Sequence, residues 1–209
     1  MKPDYMSRAC RSAFVAAALF ATPEPSAAEE WSFALSAFVF DPPDESPYFS
    51  PLFYADRGVL HLEARFNYED LDTGSMFIGR SFEAGEELTL TAVPMFGVVV
   101  GNTDGVAPGA EIEIAWRRLA LNAESEYVFD LGEGGEDFLY TWIEATIAPA
   151  DWLRFGLVAQ RTRTYESGLD VQRGLLVELS RGKLSFGFHW FNPDRSEDQV
   201  FAYAVGYEF

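Results

Sequence analysis

The chain has 209 residues, 33 acidic and 15 basic, with a formal charge of −18, and 48% of its residues are hydrophobic and 16% aromatic. That apolar content excludes a disordered acidic tail, and so acidic a chain without a basic patch is no nucleic-acid binder. No apolar run approaches the ~18–20 residues of a membrane-spanning helix, which excludes a helical membrane protein but leaves a spanning barrel open.

Residues 1–28 read as a cleaved signal peptide. Lys2, Arg8 and Arg11 give a basic start, and the apolar stretch from Ala13 to Ala21 is too short to span. Ser26-Ala27-Ala28 then supplies the small residues of a cleavage site, with Glu29 as the first mature residue. Removing this segment leaves residues 29–209 as a single domain of charge −19. The sole cysteine, Cys10, leaves with the signal, so an exported form cannot rely on disulfides.

Past residue 30 the apolar residues recur with period 2 rather than 3.6. Leu60, Leu62, Ala64, Phe66 and Tyr68 share one face, and His61, Glu63, Arg65 and Asn67 the other. Turn residues divide the chain into twelve expected strands: 31–40, 47–55, 58–68, 75–82, 87–98, 109–117, 119–130, 137–148, 152–165, 170–180, 183–192 and 198–209. Pro47 and Pro51 make the second the weakest, but dropping it would leave an odd number. Very short connections at 56–58, 84–86, 117–118, 149–151 and 181–183 alternate with longer ones at 41–46, 69–74, 99–108, 131–136, 166–169 and 193–197. The reading is all-β: an up-and-down antiparallel transmembrane β-barrel of about 12 strands.

A soluble sandwich also has period 2, so the two faces must discriminate. The non-apolar face carries Gly, Ala and Ser as well as charge, as a crowded lumen would. Aromatics gather near strand ends: Trp31, Phe33, Trp116, Trp152, Tyr207 and Phe209 at the short turns. Phe40, Tyr48, Tyr68, Phe129, Phe138, Tyr165 and Trp190 lie toward the longer loops. Two such bands suit two membrane interfaces.

The final alternating segment places Tyr203, Val205, Tyr207 and Phe209 on one face and ends in Phe. Here the chain resembles bacterial outer-membrane β-barrel proteins, porin-like in topology. The resemblance implies that this strand is an assembly signal read by the outer-membrane assembly machinery. It also implies an outer-membrane location, with lipid and lipopolysaccharide as surroundings and small solutes or ions as cargo. It names a class and a compartment, not a substrate.

Parity assigns His61, Glu63, Arg65, Glu111, Glu113, Asn122, Glu124, Glu126, Glu144, Arg154, Gln160, Gln172, Glu178 and His189 to the lumen as pore-lining residues. His61 and His189 lie on the third and eleventh strands, so a shared metal site would need them to meet across the bore. No metal-ligand spacing, nucleophile elbow or cofactor motif accompanies them. Neither a metal nor a cofactor is expected, and the reading is not an enzyme.

Arg161, Arg163 and Arg173 break the parity. At the centre of a bilayer an outward charge costs about 2–4 kcal/mol, so either a bulge returns them to the lumen or they sit above the hydrocarbon, near the outer rim, and meet lipopolysaccharide phosphates. Carboxylates crowd the longer loops, among them Asp41, Asp44, Glu69, Asp70, Asp194 and Glu197, while Arg57, Arg117, Arg118, Arg181 and Lys183 mark the short turns.

The functional expectation is a narrow passive channel with an acidic, cation-preferring mouth and a Glu/Arg-lined lumen. One alternative is a closed structural or interaction barrel, whose acidic loops contact lipopolysaccharide-bound cations or a partner and whose inner charges pair. The other is a rim hydrolase built on His189 with Asp194 or Glu197.

Overall fold

The structure is a computed structural model, described here for residues 30–43, 45–133, 135–162 and 171–209. The expected signal peptide at 1–28, Asp44, Arg163, Tyr165 and the expected 166–169 connection lie outside the described residues. The strands are β1 (Ser32–Asp41), β2 (Tyr48–Arg57), β3 (Leu60–Phe66), β4 (Thr73–Arg80), β5 (Phe82–Ala84), β6 (Leu88–Gly101) and β7 (Gly105–Trp116). They continue as β8 (Leu119–Asp130), β9 (Phe138–Ala150), β10 (Leu153–Arg161), β11 (Gln172–Arg181), β12 (Leu184–Phe191) and β13 (Val200–Glu208).

Apart from β4 and β5, which both pair with β6, each strand pairs antiparallel with its neighbours in sequence, and β1 closes the ring on β13 from Ala34↔Glu208 to Asp41↔Phe201. The thirteen segments make twelve wall strands. Both β4 and β5 pair with β6, at Gly79↔Met95 and Phe82↔Ala92 respectively, and are one strand interrupted at Arg80 and Ser81. The interruption lies opposite Val93 and Pro94, and proline has no N–H to give a ladder. Ser81 still donates to the Val59 carbonyl at 2.9 Å, so the β3 side stays joined. The result is a closed twelve-strand antiparallel barrel, as the alternation predicts. The doubtful second strand is present: Pro51 pairs in register with Ala37.

The expected 99–108 loop is shorter in the structure. β6 runs to Gly101 and β7 starts at Gly105, leaving Asn102, Thr103 and Asp104 between them. Gly101, Gly105 and Pro108 read as turn residues, but the β7–β8 ladder simply skips Ala107 and Pro108 and resumes at Gly109↔Glu126. Glycine is required at 109, because a Cβ there would stand 2.9 Å from Glu126 Cβ. At the short turns Gly58 and Gly182 take positive φ, and Arg117 adopts the same left-handed conformation.

Every wall strand turns large apolar side chains outward, including Leu35, Phe53, Phe66, Met76, Phe96, Ile112, Leu121, Ile143, Leu157, Leu175, Phe186 and Tyr203. So continuous an apolar exterior belongs against lipid rather than water. Trp31, Trp116, Trp152, Tyr207 and Phe209 are exposed at the short-turn end, where Arg57 stands over Trp31 and Arg117 over Trp116. The loop-end band is corrected: Phe40, Tyr68 and Phe138 are buried inside the barrel. For Phe40 the reason is parity, since it follows Ala34, Ser36 and Phe38 inward. Tyr68, which alternation puts outward with Phe66, lies beyond the end of β3 and after Asn67 at φ 53°, where the alternation no longer holds.

Candidate functional site: the charged interior

Alternation places one residue in two on the inner wall, and two kinds of side chain share that space. Aromatic and aliphatic groups fill part of it. Phe38, Phe40, Tyr54, Tyr68, Tyr140, Trp142 and Phe191 belong to one packed cluster, and Phe77, Met95, Val99 and Val128 to a second. Charged and amide side chains fill the rest. His61, Glu63, Arg65, Glu111, Asn122, Glu124, Glu126, Glu144, Arg154, Gln160, Gln172, Glu178 and His189 are all buried, Glu178 being the most exposed at 7%. Glu113 is half-buried.

The charged groups form two networks. In the first, the Arg65 guanidinium lies between the rings of Tyr68 and Phe77, 4.8 and 4.4 Å from their centres. It reaches Glu124 at 2.6 Å, Glu126 at 3.1 Å and Glu69 at 3.4 Å, and also pairs with Glu63. Tyr68 donates to Glu124 at 2.9 Å and Ser75 to Glu69 at 2.6 Å. On the β2–β3 hairpin, register sets Asp56 opposite His61. His61 Nδ1 lies 2.7 Å from Asp56 Oδ1, and its Nε2 lies 2.6 Å from Glu63 Oε1 and 4.0 Å from Glu111 Oε2.

In the second network Arg154 bridges Glu144 at 2.7 Å and Glu178 at 3.1 Å, the latter its register partner on β11. Glu144 also accepts from Trp142 Nε1 at 3.0 Å and lies 3.2 Å from His189 Nε2. A cavity of about 20 Å³ beside Tyr54, Trp142, Arg154 and His189 has room for about one water.

His61 and His189 therefore sit in separate networks. His189 is enclosed by Phe38, Trp142 and Phe191, while Asp194 pairs with Arg173 at 3.3 Å. A backbone N–H, together with Arg173, holds the Asp194 carboxyl below its ordinary range. The rim constellation of His189 with Asp194 is thus not assembled. Arg161 ends β10 on the exposed parity, and Arg173 lies exposed beside the 193–197 loop.

Parity reasoning missed Asp56, Glu69, Tyr68, Ser75 and Trp142. Glu69 reads as one more acidic loop residue, yet it is fully buried and folds back onto Arg65. Only its position just after a strand bearing an inward Arg could have signalled this. The inward aromatics were missed because ring character alone does not distinguish a lipid-facing from a packed interior position.

No protein-family model matches the chain, and no curated protein matches it. Among solved structures it is similar to the crystal structure of the Acinetobacter baumannii outer membrane protein Omp33. The TM-score is 0.50 at 11% identity, covering 88% of this chain and 100% of that one. At this identity the likeness is one of architecture: the chain has the fold of an outer-membrane β-barrel.

Proposed function

We propose that this protein is an exported outer-membrane barrel whose interior is held shut by packed rings and ion pairs, so that it acts as a closed structural or interaction barrel. The observation that carries the reading is the burial of the inward charges. Thirteen of the fourteen parity-assigned lumen side chains are at least 93% buried. A bore conducting hydrated ions would leave such groups in contact with water. Charges removed from water persist only when paired and hydrogen-bonded, which is the role of Arg65 and Arg154.

The apolar exterior and the barrel fold support the outer-membrane location, with lipid and lipopolysaccharide as the surrounding partners. Strand β13, with Tyr203, Val205, Tyr207 and Phe209, is the segment we assign to recognition by the assembly machinery. Carboxylates at the loops offer contacts to lipopolysaccharide-bound cations or to a partner. We assign the barrel no catalytic role.

A second reading, a narrow porin-like channel preferring cations, draws support from the excess of carboxylates around Arg65. It requires the two networks to part. Single-channel recording in planar bilayers separates the readings. The closed barrel gives no conductance steps, whereas standing, cation-selective steps overturn it in favour of the channel. Anion-selective steps overturn both.

A further inference from the structure

The two networks differ in charge balance. Around Arg154 two carboxylates, Glu144 and Glu178, face one guanidinium and one imidazole. Around Arg65 six carboxylates, Asp56, Glu63, Glu69, Glu111, Glu124 and Glu126, face one guanidinium and one imidazole. The excess converges on His61. Ligand atoms of His61, Glu63 and Glu111 all lie within 4.8 Å of one another, and all three residues are buried. Glu111 is 95% buried, its Oε1 has no hydrogen-bond partner, and its carboxylate is directed at His61 Nε2.

We propose that His61, Glu63 and Glu111 form a binding site for one first-row divalent cation, Zn²⁺ by preference, inside the barrel wall. The imidazole is oriented for it. If Nδ1–H donates to Asp56 Oδ1 at 2.7 Å, the Nε2 lone pair faces Glu63 and Glu111, the carboxylate–histidine–metal arrangement. Glu63 is braced in the same way, because Arg65 Nε donates to its Oε2 at 2.6 Å and leaves Oε1 free to ligate.

A lone pair 2.6 Å from a carboxylate oxygen needs something positive between them. A proton would serve His61 and Glu63 but would leave Glu111, 4.0 Å away, unserved. A dication serves all three and offsets twice the charge. Ligand atoms about 2.1 Å from a tetrahedral Zn²⁺ stand about 3.4 Å apart. The two His61 separations of 2.6 and 4.0 Å bracket that value, and all three ligand atoms lie within 4.8 Å of one another, so modest shifts seat the ion on three protein ligands with a fourth position for water. One nitrogen with carboxylate oxygens favours Zn²⁺ over Ca²⁺ or Mg²⁺, which take oxygen ligands. This inference is independent of whether the barrel conducts.

The test uses the tag-free barrel refolded in detergent, stripped with chelator and titrated with ZnCl₂ in millimolar Ca²⁺ and Mg²⁺. The expectation is one Zn²⁺ per chain, with affinity at least tenfold weaker in Glu111→Gln and unchanged in His189→Gln. Substoichiometric zinc, equal affinity in Glu111→Gln, or displacement by Ca²⁺ or Mg²⁺ overturns the proposal, the second of these marking zinc held only by the acidic loops. The unmodified protein gives an independent readout that no folding defect can obscure. Co²⁺ should develop the intense visible bands of a four- or five-coordinate N/O site, and a spectrum of free aqueous Co²⁺ overturns the assignment.

Discussion

Replacing Arg154 by Met asks how dry the interior is. Met keeps an apolar stem as far as the position of Nε but lacks the guanidinium end, so Glu144 and Glu178 lose their shared cation. The Arg154 side chain and both of its partners are buried, at 2.7 and 3.1 Å. Two charge-assisted hydrogen bonds of about 1.5–3 kcal/mol each give roughly 3–6 kcal/mol. Removing one member of a buried ion pair costs a comparable 3–5 kcal/mol or so. The expected loss is therefore about 4 kcal/mol, read by equilibrium urea unfolding in lipid vesicles with tryptophan fluorescence. Adding Glu144→Gln and Glu178→Gln should recover most of it, because neutral amides do not need the guanidinium. A loss below about 1 kcal/mol, the scale of a solvent-exposed pair, would refute the reasoning. It would mean that water fills the bore around Arg154.

Two further substitutions test the wall. Leu157 lies mid-strand on β10, 61% exposed and in register with Ala145 and Leu175. Leu157→Lys should cost about 2–4 kcal/mol against lipid, and a change within about 0.5 kcal/mol, typical of a water-facing site, would reject a lipid-facing wall. Gly97 lies beneath Phe77, whose ring carbons would stand 2.5 Å from an added Cβ. Gly97→Val should displace that ring, which packs on Arg65, and cost about 1–3 kcal/mol. Unchanged stability in the same unfolding assay would show the ring to be loosely held.

The period-2 pattern determined much of the architecture from the sequence alone, because in a β-strand parity assigns each side chain to a face. His61, Glu63 and Arg65 point inward while Leu60, Leu62 and Phe66 point outward, and no long-range information is needed for that. The alternation of short and longer connections likewise gives the antiparallel order and the twelve wall strands. Proline and glycine misled only where their local meaning was overridden. Pro108 falls in a gap of the β7–β8 ladder, and Gly109 accommodates Glu126.

Parity says which face a residue occupies, but not what it meets there. Cross-bore neighbours depend on strand tilt and closure, which have no local signature. Only the tertiary structure placed Glu124 and Glu126 of β8 against Arg65 of β3, and Glu111 of β7 beside His61. It folded Glu69 inward and filled the remaining space with Phe38, Tyr54 and Trp142. The sequence therefore determined a barrel with a charged inner face. Whether that face lines water or packs against itself was decided by closure of the wall, since only closure fixes the volume those side chains must share.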